Sequence, residues 1–192
     1  MSSSRPFANK RVVIVHGYMA SPTDHWFPAL KRSLEVEGAQ VDVVALPESN
    51  EPQVDAWART LKEALPVVND RTFIIGHSLG CVTALRHLQS LPTGTRAAGI
   101  VLVSGFDCPL DTIPTLAAFT SPPLDHDVVR KRAAHIVSIV SDNDVIVDTR
   151  HSHALAESLG SDLQVVNGGG HFMAEDGFTA LPQVHEALRR MV

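Results

Sequence analysis

The sequence predicts a doubly wound α/β fold, with a mostly parallel sheet of six strands and helices on both faces of that sheet. Short runs rich in Val, Ile and Leu recur along the chain, and most of them are continuous rather than alternating. Continuous apolar runs are typical of strands buried on both faces of a parallel sheet. Segments with apolar residues three or four positions apart lie between these runs, and such alternation of strand and helix indicates an α/β class.

The elements alternate from the first strand onward. That strand is predicted at residues 11–16 (RVVIVH), and the first helix at residues 28–37, because Pro28 is tolerated only in a first helical turn. Residues 17–27 are therefore interpreted mostly as loop. The later apolar runs predict strands at residues 40–46, 71–76, 98–104, 135–141 and 163–167, and the segments with helical spacing predict helices at residues 53–65, 79–91, 124–134, 149–159 and 179–191.

One connection is predicted to be irregular. Residues 105–123 contain four prolines, too many for one long helix, so this stretch is interpreted as a short excursion before the helix that begins at Leu124. The remaining pattern predicts a single domain over residues 1–192, in which residues 1–10 form a flexible N-terminal tail.

Composition excludes several functional classes. Of the 192 residues, 44% are hydrophobic and 19% are charged, which is typical of a globular domain and not of a disordered or fibrous chain. The net charge of −5 argues against a nucleic-acid partner. The two cysteines, Cys81 and Cys108, have no CxxC spacing, and no His or Asp motif indicates a metal site. No segment is typical of a signal peptide or a membrane span, so we expect a cytoplasmic protein.

The sharpest motif is GHSLG at residues 76–80, which matches the G-x-S-x-G nucleophile elbow. Its context supports this interpretation, because the motif lies between a predicted strand and a predicted helix. Ser78 would then lie on a tight turn, with the free N–H groups and the positive dipole end of the helix beside its oxygen. The alternative is a glycine-lined turn in which Ser78 merely caps the helix.

A serine nucleophile needs a base and an acid, which follow it along the chain in this architecture. His171 lies in the sequence GGGHF just after the last predicted strand, so we interpret it as the base. The acid would hold the correct tautomer of that histidine. Asp144, which follows the strand at 135–141, is favoured; Asp142 and Asp107 remain alternatives, and Asp148 is interpreted as a helix cap.

The oxyanion hole needs two N–H groups that point at the developing negative charge. We expect one from Leu79, which follows the nucleophile, and the other from Tyr18 in the loop after the first strand, with Met19 as an alternative. The first and third strands should be neighbours, which brings these two loops together at the carboxyl edge of the sheet. Candidate residues of the substrate pocket are Gly17, Met19, His25, Trp26 and Phe172; Trp26 could equally anchor its helix in the core.

Four segments resemble the small α/β-hydrolase family that includes retinoblastoma-binding protein 9 and bacterial YdeN-type carboxylesterases. They are VVIVHGYMASPTDHWFPALKRSL, IIGHSLGCVTALRHL, VSDNDVIVD and GGGHFMAEDGFTALPQV. The resemblance implies that Ser78, Asp144 and His171 form the triad of a serine hydrolase. The acid motif of the family usually ends in proline where this chain has Asp148. The L-x-C-x-E motif is absent, so the retinoblastoma-protein partner does not carry over.

These observations predict a cofactor-free serine hydrolase of carboxylesterase type (EC 3.1.1), which cleaves carboxylic esters through an acyl-enzyme. Only ten residues precede the first strand, and the excursion at residues 105–123 can form at most a small lid. We therefore expect an accessible site and a small-molecule substrate with a small or exposed acyl group. Two alternatives remain: a thioesterase, amidase or peptidase with the same machinery, and a binding protein that kept the hydrolase fold without turnover.

Overall fold

The computed structural model describes residues 5–192, in which six strands alternate with six α-helices. The strands are β1 (Arg11–Val15), β2 (Gln40–Val44), β3 (Thr72–His77), β4 (Ala97–Val103), β5 (Ala133–Ser141) and β6 (Asp162–Val166). The α-helices are α1 (Phe27–Val36), α2 (Val54–Ala64), α3 (Leu79–Ser90), α4 (His126–Arg132), α5 (Thr149–Leu159) and α6 (Pro182–Arg189). Two 3-10 helices, Pro114–Thr120 and Ala174–Asp176, lie in connections. Within these residues no helix has the length and apolar character needed to cross a bilayer.

All six strands are parallel and form one sheet in the order β2-β1-β3-β4-β5-β6. The predicted pairing of the first and third strands is confirmed, since Val15 lies opposite Gly76. The chain moves outward from β1 to β2 and then returns to β3 on the other side of β1. The loops after β1 and β3 therefore meet at the point where the strand order reverses, which is where open α/β sheets bind ligands.

Two apolar clusters cover the two faces of the sheet. One contains buried residues of α2, α3, α4 and α5, among them Trp57 and Leu85. The other contains buried residues of α1 and α6, among them Leu34 and Leu188. Every residue of β3 and β4 is buried, as the continuous apolar runs predicted, whereas the edge strand β6 has no buried residue.

Two helix boundaries and one connection differ in detail from the sequence prediction. Helix α4 ends at Arg132 and the chain enters β5 at once, because Ala133 already pairs with Ala97 of β4. Helix α6 begins at Pro182 rather than at residue 179, which places the proline in the first turn, where its missing N–H costs nothing. The excursion at residues 105–123 contains the 3-10 helix Pro114–Thr120.

Part of the predicted N-terminal tail packs against the sheet. Phe7 is fully buried and packs edge-on against Phe73 of β3, with ring centroids 6.3 Å apart. Its backbone N–H donates to the carbonyl of Glu37. Burial of an aromatic ring fixes this part of the segment against the sheet, so the expectation of a flexible tail is wrong for the residues around Phe7. Residues 1–4, the rest of that prediction, lie outside the described residues.

Candidate active site

Ser78 occupies the turn between β3 and α3 in a backbone conformation that residues other than glycine rarely adopt. Its φ is +52° and its ψ is −122°, and only 6% of its surface is exposed. It stands at the N-cap position of α3, yet its side chain makes no capping hydrogen bond. The interpretation of Ser78 as an ordinary helix cap is therefore not supported, because a capping serine accepts from the N–H groups of the first turn. A strained, uncapped serine at this junction is typical of a nucleophile elbow.

The glycines of the motif allow three pieces of backbone to meet at the elbow. A Cβ on Gly80 would lie 2.1 Å from the carbonyl oxygen of Val15, and one on Gly76 would lie 2.7 Å from Cα of Cys81. Gly17, in the loop after β1, is also close to the elbow, since a Cβ there would lie 3.0 Å from Cβ of Ser78. Helix α3 can thus start directly against the ends of β1 and β3 only because these positions lack side chains.

Asp144 and His171 form a buried pair. The Oδ2 atom of Asp144 is 2.8 Å from Nδ1 of His171, and the two side chains are 2% and 6% exposed. The Oδ1 atom of Asp144 accepts from the backbone N–H groups of Ile146 and Val147, each at 2.9 Å. Burial opposes the charge of this carboxylate, but the hydrogen bonds from His171 and the two amides outweigh burial and lower its pKa. The carboxylate therefore stays ionised beside the imidazole.

The other aspartates that the sequence left as candidates have different partners. Asp107 lies 2.6 Å from Nε2 of His126, and Asp148 accepts from the N–H of Arg150 at the start of α5, as a helix cap does. Asp142 accepts from the N–H of Gly168 at 2.7 Å. Of the predicted acids, Asp144 is thus the one that the structure brings to His171.

The loop that carries His171 is held on one side by the loop after β5. Side-chain oxygens of Asp142, Asn143 and Asp144 accept in turn from Gly168 N–H, Gly170 N–H and the His171 ring. Ser141 Oγ donates to the same oxygen of Asn143 at 2.7 Å and so orients it. Asn143 was missed by the sequence analysis, although the D-N-D run placed three short acceptors in a row.

His77 holds the same loop from the elbow. Its Nε2–H donates to the backbone carbonyl of His171 at 2.8 Å, and the two ring centroids lie 5.1 Å apart. Burial, reinforced by repulsion from His171, keeps the pKa of His77 well below its ordinary value, so His77 is a neutral donor. Asp176 accepts from the backbone N–H of His171 at 2.9 Å and from that of Met173 at 3.1 Å. Asp176 was also missed, because its role depends on the 3-10 turn that folds it back onto the loop.

The loop after β1 presents one free amide near the elbow. The N–H of Met19 donates to Ser49, so this alternative for the oxyanion hole is already used. The N–H groups of Tyr18 and Leu79 have no acceptor in the part of the chain that the structure describes. His16 shapes this loop, because its Nε2 accepts from Leu46 N–H and its Nδ1–H therefore donates to the carbonyl of Gly17.

The predicted pocket residues divide into two groups. Gly17 adjoins Ser78, Met19 is 65% exposed, and His25 is half-buried beside His77, with ring centroids 5.6 Å apart. Trp26 and Phe172, in contrast, are fully buried in the cluster on the α1 and α6 face. Their rings fill the core, so the expectation that they line an open pocket is wrong. Nowhere in residues 5–192 do three or more His, Cys, Asp or Glu side chains gather as a metal site would require.

This arrangement can abstract a proton from a hydroxyl group. An imidazole whose Nδ1–H is bound by a buried carboxylate keeps Nε2 as a proton acceptor, and the carboxylate stabilises the imidazolium that forms. No hydrogen bond joins Ser78 to His171 within residues 5–192. Such bonds are often long in unliganded sites and shorten when substrate binds.

Comparison with known proteins finds relatives over nearly the whole chain. The family model described as serine hydrolase matches residues 12–190. The YdeN protein of Bacillus subtilis (strain 168) is 40% identical over 179 residues, which cover 93% of this chain and 94% of that protein. Serine hydrolase RBBP9 of Rattus norvegicus is 23% identical over 152 residues, 78% of this chain and 79% of that protein.

Two solved structures show the likeness in three dimensions. The crystal structure of the B. subtilis ydeN gene product has a TM-score of 0.92 at 39% identity, and the match covers 95% of this chain and 98% of that one. A YdeN-like hydrolase from Pectobacterium atrosepticum has a TM-score of 0.70 at 22% identity, over 95% and 90% of the two chains, which is a likeness in fold alone. The predicted fold class is confirmed.

Proposed function

The chain belongs to the serine hydrolase family, and from this premise and the geometry around Ser78 we propose that it hydrolyses carboxylic esters through an acyl-enzyme. The observation that carries the proposal is the buried contact of 2.8 Å between Asp144 and His171, whose ring packs against His77, the neighbour of the strained, uncapped Ser78. A neutral imidazole oriented by a carboxylate is what a serine hydroxyl needs to become a nucleophile at neutral pH.

In the first half of the proposed reaction, Oγ of Ser78 attacks the ester carbonyl carbon while Nε2 of His171 takes the hydroxyl proton. Asp144 keeps the other ring nitrogen protonated and stabilises the imidazolium. The unpaired N–H groups of Leu79 and Tyr18 would donate to the oxyanion, and the N-terminal end of α3 adds its positive dipole there. The imidazolium then gives its proton to the leaving alkoxide, and the C–O bond breaks to leave the acyl-enzyme.

In the second half, His171 accepts a proton from water as the water oxygen attacks the acyl carbonyl carbon. The same N–H groups would bind the second oxyanion, and the proton returns from His171 to Oγ of Ser78 as the carboxylic acid leaves. No cofactor or metal is needed for this sequence of steps.

The connection between β4 and α4 supports a preference for small or exposed acyl groups. Its 3-10 helix packs on the flank of α3, where Arg86 donates to the carbonyls of Phe119 and Pro122. A segment tied down in this way provides no long cap for a deep acyl tunnel. An accessible site of this kind favours acyl groups that need little burial for binding.

The test combines labelling with turnover. A fluorophosphonate probe is reacted with the parent protein and with Ser78→Ala, and p-nitrophenyl esters of increasing acyl length are screened in parallel. We expect labelling that Ser78→Ala abolishes, together with hydrolysis that is fastest for short acyl chains. Labelling of Ser78 with turnover of thioesters or anilides but not of esters would move the activity to the thioesterase, amidase or peptidase alternatives.

Three further outcomes would contradict all or part of the proposal. Labelling of Ser78 without turnover of any acyl substrate would indicate a misaligned acid and a binding protein. Absence of labelling in the folded parent protein would show that Ser78 is not activated at all. Hydrolysis confined to long-chain esters would leave the chemistry intact but contradict the accessible site.

A further inference from the structure

A cavity of about 420 Å³ lies between α2 and α3, away from the proposed catalytic residues. Its walls come from both helices, and Phe119 of the 3-10 helix Pro114–Thr120 contributes to its lining. Ser78, Asp144 and His171 are not among the residues that line it. The volume is within the range of about 300–1,000 Å³ that is usual for small-molecule sites. The cavity is therefore large enough for a ligand of its own.

The interior of the cavity is largely apolar, and the charged residues that line it are all cations. Val54, Ala58 and Phe119 supply apolar surface, whereas Arg59 and Lys62 are exposed on α2. No Asp or Glu lines the cavity, although the chain as a whole carries a net charge of −5. A basic lining on an acidic protein attracts anions locally, because the nearest charges dominate the potential within a Debye length.

The cations of this lining differ in their freedom to bind a ligand. Arg86 is committed to the protein, since its guanidinium donates to the carbonyls of Phe119 and Pro122 at 2.6 Å. Arg59 and Lys62, in contrast, form no ion pair or side-chain hydrogen bond with any residue in the range 5–192. Two unpaired cations one turn apart on α2 can therefore meet a carboxylate without first breaking an existing contact.

His87 forms an uncharged part of the cavity wall. It lines the cavity and is only 8% exposed, and its Nε2 atom has no hydrogen-bond partner among residues 5–192. Burial lowers the pKa of His87, so its imidazole is neutral at pH 7. Its Nε2 atom is closed to solvent, so His87 contributes an uncharged part of the wall and does not compete with Arg59 and Lys62 for the carboxylate.

We propose that this cavity is a binding site for a small amphipathic carboxylate, separate from the Ser78 site. The apolar chain of the ligand would lie among Val54, Ala58 and Phe119, and its carboxylate would lie at Arg59 and Lys62. Carboxylates with apolar tails are also the acids that ester cleavage releases, but the site itself does not depend on the proposed reaction.

The test is a calorimetric titration of the full chain with octanoate, with octanol and octyltrimethylammonium as neutral and cationic probes of similar length. We expect saturable binding of octanoate with a Kd of about 1 mM or below, and clearly weaker binding of the other two probes. Ala58→Trp fills the cavity from an exposed position and should abolish the binding. Arg59→Glu should raise the Kd about fivefold or more, because it replaces an attraction by a repulsion.

The matched control is Arg32→Glu on the exposed side of α1, which changes the net charge equally at a distant place and should leave the Kd unchanged. A ligand held only at the Ser78 site would be insensitive to Ala58→Trp, and this result would overturn the proposal. So would equal effects of Arg59→Glu and Arg32→Glu, or equal affinities for octanoate and octanol. Circular dichroism and the thermal midpoint of each variant establish that the substituted proteins are folded.

Discussion

Replacement of Asp144 by asparagine should stop turnover while the fold is kept. The amide oxygen of the new residue can still accept from the N–H groups of Ile146 and Val147, both 2.9 Å from the present Oδ1. The amide nitrogen, however, would replace the oxygen that lies 2.8 Å from Nδ1 of His171. Two donors cannot face each other, so His171 should adopt the tautomer with its proton on Nε2, and this tautomer cannot accept a proton from Ser78.

The expected loss follows from this change of tautomer. An asparagine in place of the acid of a serine triad lowers kcat by about 10⁴-fold, which corresponds to roughly 5 kcal/mol of transition-state stabilisation. The assay is steady-state hydrolysis of the best p-nitrophenyl ester from the chain-length screen. The thermal midpoint should change little, because both backbone hydrogen bonds to this side chain survive.

Asp107→Asn is the matched control, because Asp107 also contacts a histidine, His126, but not the one proposed as the base. It should retain activity within about threefold of the parent, as is usual for substitutions that keep an acceptor in place. The reasoning is refuted if Asp144→Asn keeps more than about a tenth of the parent kcat, since a wrong tautomer allows far less. A large loss in Asp107→Asn would instead transfer the role of the acid to that residue.

Three further predictions concern the elbow and its neighbours. His77→Phe keeps a ring but leaves the buried carbonyl of His171 without its donor, a loss of about 1–3 kcal/mol, so kcat should fall by about 5- to 150-fold. His77→Gln keeps a donor, so its kcat should fall less. Equal losses of kcat in the two variants would contradict this role of His77. Gly80→Ala drives a methyl group onto the carbonyl of Val15 and should cost at least about 3 kcal/mol, or about 6–12 °C in the thermal midpoint; an unchanged midpoint would show that the elbow can relax. The pKa of His77 is lowered in the folded protein, so below its ordinary pKa of 6.5 the unfolded chain binds more protons than the folded one. The contribution of His77 to the free energy of unfolding is therefore complete above pH 6.5 and declines as the pH falls. Urea titrations should show a slope of up to about 1.4 kcal/mol per pH unit from this residue, smaller in His77→Phe, and a slope unchanged by the substitution would count against a neutral buried His77.

The sheet could be predicted from the sequence because its central strands are buried on both faces. The runs TFIIG and AGIVLV are continuous in β3 and β4, where every residue is buried, and short continuous runs of this kind are typical of strands covered on both faces. The end of α4 was harder to predict, because the register between β5 and β4 extends the strand to Ala133 through pairing with Ala97. Long-range pairing of this kind leaves no trace in the local pattern.

The pocket was predicted less well than the elbow, and the reason is chemical. Ser78 and its glycines are constrained by local backbone geometry, which a short motif records. Trp26 and Phe172 were placed near the site only by their position in its loops. An aromatic residue beside a catalytic loop can face the substrate or support the loop from beneath, and its identity is the same in both cases. The structure shows both rings fully buried.

The choice of acid shows where sequence reasoning ends and geometry begins. Asp142, Asn143 and Asp144 are adjacent, and each of them accepts a hydrogen bond from the loop that carries His171. A contact with that loop therefore does not distinguish the acid from its neighbours. The distinction lies in the atom that is bound: the first two receive backbone N–H groups, while Asp144 receives Nδ1 of the imidazole. The first two contacts fix where the loop lies, and the third fixes which nitrogen of His171 carries the proton. Substitution at Asp144 should consequently reduce kcat without unfolding the loop, because the contacts of Asp142 and Asn143 remain.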